Sequence, residues 1–96
     1  MKYKSGVPEV ECHPQLKVAE KRFEELFKFW FKEELTCTST TDGKHMKGSK
    51  HYKNPHEARD YRFPTPLRQF LIALKFDLKG KVDFIIEKDH FHQELK

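Results

Sequence analysis

A chain of 96 residues with 36% apolar and 14% aromatic side chains has material for one folded unit, and the regular recurrence of its apolar residues excludes a disordered class. The net charge is +4, which admits nucleic acid, a membrane surface or an anionic wall polymer as partners, but the lysines are scattered and the charge selects none of these. No apolar run approaches the ~20 residues that span a bilayer, so no membrane span is expected.

Residues 1–13 are polar, contain Pro8 and read as an irregular lead-in. They lack the apolar stretch of a secretory signal, so synthesis and retention in a cytoplasm are expected. Pro14 suits the first position of a helix. Leu16, Ala19, Phe23, Leu26, Phe27 and Trp30 then recur at steps of three and four, which predicts an amphipathic helix over 14–32. Lys17, Glu20, Lys21, Glu24, Glu25 and Lys28 are assigned to its polar face. Leu35–Ser39 is rich in β-branched residues and reads as a strand.

The pattern lapses from Thr40 to Pro55, a segment with turn signals at Asp42-Gly43, Gly48 and Asn54-Pro55. It holds His45 and His51, and His56 follows. A structureless segment of this length in a small domain is usually functional. Ala58–Phe63 reads as a second strand. Thr65 as N-cap and Pro66 as first residue open a second helix with Leu67, Phe70, Leu71, Leu74 and Leu78 as its stripe, closed by Gly80. Val82–Glu87 and His90–Leu95 read as third and fourth strands around a tight turn at Lys88-Asp89. The expected fold is α+β: two helices against a small, mainly antiparallel sheet, in a single domain over 1–96 whose chemistry lies in 33–96. Cys12 and Cys37 match no CxxC spacing and read as buried or free thiols, a single disulfide being the alternative.

The chemistry concentrates at the C-terminus. On a strand, His90, His92 and Glu94 share one face. Asp89 lies three residues before His92, and Glu87 three before His90. A catalytic zinc takes three protein ligands and keeps one position open, and a nearby carboxylate can take a proton from water. His51 and Asp60, with one histidine of the last strand, complete a His/Asp/His set; His56 competes with His51 for the first place.

The segments Asp42–Tyr52, Ala58–Arg62 and Glu87–Glu94 resemble the zinc D-alanyl-D-alanine carboxypeptidase and L-alanyl-D-glutamate endopeptidase family. These are cell-wall peptidases with the hedgehog/DD-peptidase fold, common as bacteriophage lytic enzymes. The pattern is Ser-x-His, Ala-x-Asp, then an acidic residue and His in a short C-terminal strand. The resemblance covers about residues 33–96. It implies Zn2+ held by His51, Asp60 and His92, with Asp89 as catalytic carboxylate and Glu87 with His90 as the other register. It further implies supporting or substrate-binding roles for Ser49, Arg62, His90 and His45. The implied substrate is a peptidoglycan peptide, cut by a monomer after release from the cell or from within a virus particle. The interval from His51 to Asp60 is longer than the family's, so the loop must bulge to bring the two together.

Two rivals stand beside this reading. One is a catalytically inactive zinc- or wall-binding module on the same fold. The other, a basic nucleic-acid-binding protein, has the net charge in its favour but no recognition motif. Residue by residue, Asp60 could instead pair with Arg59 or Arg62, and the histidines could be loop and edge-strand residues.

Overall fold

The computed structural model describes residues 1–43, 45–62, 68–77, 80–87 and 90–96, with side chains of 68, 69, 76 and 77 excepted. Among the described residues, five strands and two helices follow in the order β1 (Lys2–Tyr3), α1 (Pro14–Phe31), β2 (Thr36–Ser39), β3 (Ala58–Arg62), α2 (Arg68–Asp77), β4 (Val82–Ile86) and β5 (His90–Leu95). A single turn of 3-10 helix, Lys50–Tyr52, interrupts the long segment between β2 and β3. The radius of gyration is 12.4 Å, close to the roughly 12.5 Å of a compact chain of this length.

The expected α+β class is present, with one correction to the sheet. It is mixed rather than mainly antiparallel, in the order β1-β2-β3-β5-β4, because β1 runs parallel to β2. The lead-in is therefore partly structured. Lys2 N–H donates to the Leu35 carbonyl and Lys4 N–H to that of Cys37, both at 2.9 Å. The other three pairings are antiparallel.

Pro14 opens α1 as expected, and the His13 ring accepts the Gln15 N–H at 3.1 Å. Lys32, at φ 57°, ends the helix with its N–H on the Lys28 carbonyl. The stripe of α1 packs on the sheet, and Phe23 is its centre. Its ring lies 4.9 Å from Tyr61, 6.0 Å from Phe70 and 5.9 Å from Phe91. Burying a side chain of this size stabilises the fold by about 1.5–3 kcal/mol. The Leu71 and Leu74 positions of the second helix face inward as expected; Thr65, Pro66, Leu67 and Leu78 lie outside the described residues. Gly80 sits at φ +81°, and residues 78 and 79, between it and the described end of α2, lie outside the described residues.

Glu20 departs from its assigned polar face. It lies on the buried stripe between Leu16 and Phe23 and accepts from Arg59 at 3.0 Å and from the Tyr61 hydroxyl at 2.7 Å. Arg59 also donates to Tyr3, His56 and the Val10 carbonyl. Asp60, between Arg59 and Tyr61, must then face the other side of the sheet. Cys12 and Cys37 are both free and buried. No described helix is long and apolar enough to cross a membrane.

Candidate metal centre

The pairing of β3 with β5 fixes what the open face of the sheet presents. Asp60 stands opposite His92, Arg62 opposite His90 and Ala58 opposite Glu94. Since side chains alternate, Asp60, His90, His92 and Glu94 share one face, while Arg59, Tyr61, Phe91 and Gln93 face α1. The burial of β5 alternates accordingly, with Phe91, Gln93 and Leu95 buried.

His51 reaches this face from the 3-10 turn. Ser49 caps the turn, its hydroxyl accepting the His51 N–H at 3.2 Å. Around it the loop is pinned to itself. The Tyr52 hydroxyl accepts the His45 N–H at 2.7 Å and donates to the Gly43 carbonyl at 3.1 Å. Gly43 and Gly48 sit at φ +84° and +85°, where a side chain would strain the turns. Glu57 N–H on the Lys50 carbonyl, at 2.9 Å, closes the bulge that the long His51–Asp60 interval demands.

Three donor atoms converge. His51 Nε2 lies 3.3 Å from Asp60 Oδ1 and 3.3 Å from His92 Nδ1, and His92 Nδ1 lies 2.8 Å from Asp60 Oδ1. Donors of a tetrahedral zinc, bonded at 2.0–2.1 Å, stand roughly 3.3 Å apart. The other ring nitrogens are engaged. His51 Nδ1 donates to the Thr40 carbonyl at 2.6 Å, which leaves the lone pair on Nε2, facing the cluster. His92 Nε2 meets Glu94 Oε1 at 2.8 Å. Burial raises the Asp60 carboxyl, but the His51 and His92 rings beside it outweigh that and hold it well below the usual carboxylate range. Its bond to Asp60, more than that to Glu94, raises His92 above the ordinary imidazole value.

His45 stacks on His51, ring centroids 3.8 Å apart and planes within 6°. His45, His51 and Asp60 each offer a donor within 4.8 Å of the other two, a His–His–Asp group that can bind a metal ion. His45 Nε2 donates to the Asp42 carbonyl at 2.9 Å. His90 stands further out, with Nε2 3.7 Å from Asp60 Oδ2. A cleft of about 550 Å³ opens over the cluster, lined by Met46, Lys47, Ile85 and Glu87 with His45, Asp60, His90, His92 and Glu94, while His51 is buried beneath it.

Of the residues singled out in sequence, the fold therefore gathers His45, Ser49, His51, Asp60, His90 and His92, with Glu87 at the cleft wall. Arg62 is exposed at the end of β3, and Asp89 lies outside the described residues. His56 is not in the cluster. It is buried, and its Nε2 accepts from Arg59 at 2.9 Å. Burial, with Arg59 beside it, lowers its pKa to about 4. Asp60 pairs with histidines and Arg59 with Glu20, so the Arg59–Asp60 pairing does not form. Sequence reading placed Glu94 on the face of His92 without giving it a role, and gave none to Lys50 or the Thr40 carbonyl. The role of Glu94 was detectable from that shared face; a backbone carbonyl leaves no sequence signal.

No family model, no curated protein and no solved structure matches this chain.

Proposed function

We propose that this chain is a zinc metallopeptidase that hydrolyses peptide bonds of bacterial peptidoglycan, on a hedgehog/DD-peptidase-like fold. The observation that supports it best is the convergence of His51 Nε2, Asp60 Oδ1 and His92 Nδ1 at 2.8–3.3 Å from one another, with the far nitrogen of each imidazole held by an acceptor. Two imidazoles and a carboxylate are the donor set of hydrolytic zinc sites. Zinc held there supplies a Lewis acid that polarises a carbonyl and lowers the pKa of water.

The chain's own residues do the rest. His92 meets Asp60 more closely than His90 does, which favours the register with Asp89 as base. Asp89 takes a proton from the attacking water and returns it to the leaving amine; Glu87, at the cleft wall, is the alternative. Ser49 and Thr40 hold His51. His90, beside Asp60 in the cleft, contacts the substrate, and Arg62 pairs with a substrate carboxylate. The peptide lies along the cleft between Met46 and Ile85. The enzyme acts after release from the cytoplasm or within a virus particle.

The test is release of free amines from purified peptidoglycan by the zinc-loaded protein. Asp89→Ala is expected to abolish it and Glu87→Ala to leave most of it. Amine release by neither wild type nor Glu87→Ala sinks the peptidase reading.

The stack of His45 on His51 supports a second reading, a non-catalytic module whose metal is closed by four protein donors. In that case His45→Ala loses the metal as His51→Ala does. In a peptidase it keeps it.

A further inference from the structure

We infer that Glu94 and Lys50 are positioning residues that set the ligand state of His92, an inference that rests on the metal site proposed above. His92 has two ring nitrogens, and only Nδ1 faces Asp60 and His51. As a neutral imidazole it can carry its proton on either. A proton on Nδ1 would be donated to Asp60, and the nitrogen would be lost as a metal donor. Glu94 Oε1, 2.8 Å from Nε2, holds the proton on the far nitrogen and leaves the Nδ1 lone pair to the metal. Thr40 does the same for His51, but through a neutral carbonyl.

Glu94 is itself steered. It is partly exposed, on a flexible side chain near the end of β5, and needs a fixed rotamer to serve. The Lys50 ammonium stands 3.6 Å from Glu94 Oε2 and donates to the Leu95 carbonyl. Lys50 immediately precedes His51, and its own carbonyl accepts the Glu57 N–H that closes the bulge. One lysine therefore ties the turn that carries the first ligand to the strand that carries the third. Its ammonium, held between Glu94 and the Leu95 carbonyl, keeps the Glu94 carboxylate on station beside Nε2 of His92.

Zinc affinity, measured by competition with a chromogenic chelator, tests this without reference to turnover. Partners that orient a metal-binding histidine are typically worth about 10–100-fold in affinity. Glu94→Gln keeps an acceptor but not the charge and is expected to weaken zinc about 10-fold; Glu94→Ala falls nearer 100-fold. Lys50→Met is expected to weaken zinc less than either, Lys50→Arg to restore it, and Lys50→Met to cost nothing further once Glu94 is alanine. Unfolding midpoints in chelator should match wild type, which separates orientation from damage to the fold. Glu94 variants that bind zinc within twofold of wild type overturn the inference. So does a Lys50→Met penalty that persists in Glu94→Ala, for the lysine's part. Wild type that binds no zinc removes the metal site and this inference together. Wild type that binds zinc but releases no amines from peptidoglycan overturns the peptidase reading alone.

Discussion

The salt bridge beneath the sheet offers the sharpest test of how the site is held. Glu20 and Arg59 are both buried, and Arg59 NH1 donates to Glu20 Oε2 at 3.0 Å. Glu20→Ala leaves a buried guanidinium without its counter-charge and the Tyr61 hydroxyl without its acceptor. Breaking one side of a buried pair costs about 3–5 kcal/mol. A domain of this length has a total stability of roughly 5–14 kcal/mol, so the variant loses about a fifth of it or more. At about 4–8 °C per kcal/mol, the midpoint should fall by roughly 12–40 °C. Replacing both partners, as Glu20→Leu with Arg59→Met, removes the stranded charge and should recover most of the loss. The assay is urea denaturation followed by the fluorescence of Trp30, the chain's one tryptophan. A loss below about 1 kcal/mol in Glu20→Ala, within the range of an exposed pair, would refute the reasoning. A double variant no more stable than Glu20→Ala would refute it as well.

Three further outcomes are expected. His56 is neutral in the fold to about pH 4 but titrates near 6.5 once unfolded, so the unfolded chain binds more protons between these values and stability falls as pH drops through that window. The loss amounts to about 3 kcal/mol, and His56→Gln should flatten the stability curve there. Two neighbours do not obscure it: raised His92 loses its contribution only above 6.5, and lowered Asp60 only below 3.8. A wild-type curve already flat from pH 6.5 to 4 contradicts the assignment. The Gln93 amide is buried with neither polar atom hydrogen-bonded among the described residues, so Gln93→Met should raise stability by about 1–2 kcal/mol, and a loss of stability would show that the amide has a partner. Burial raises both thiols, Cys37 to about 12, so neither Cys12 nor Cys37 should react with iodoacetamide until the chain unfolds; prompt alkylation of the native protein would contradict their burial.

The alternation of β5 was legible because its period of two is local: His92 and Phe91 announce opposite faces by position alone. So was Pro14, whose backbone constraint holds in any context. Glu20 was misread because charge was used to assign its face, whereas its spacing from Leu16 and Phe23 put it on the buried stripe. Only the distant Arg59 makes that position tolerable, and no local window contains both. β1 was missed for a related reason. Two residues carry no periodicity, and Lys2–Tyr3 becomes a strand only because β2 offers an open edge. In the site, Ser49, His51, Asp60 and His92 were readable as residue types at workable spacings. The roles of Lys50 and the Thr40 carbonyl were not, since they arise where the loop folds back on β5 and on the end of β2.

The most direct test of the zinc centre is anomalous diffraction at the zinc edge from crystals of the full chain grown with zinc. The expected result is a single strong peak within about 2.0–2.2 Å of His51 Nε2, Asp60 Oδ1 and His92 Nδ1. A peak bound by His90 instead of His92, or no peak among these residues, would contradict it.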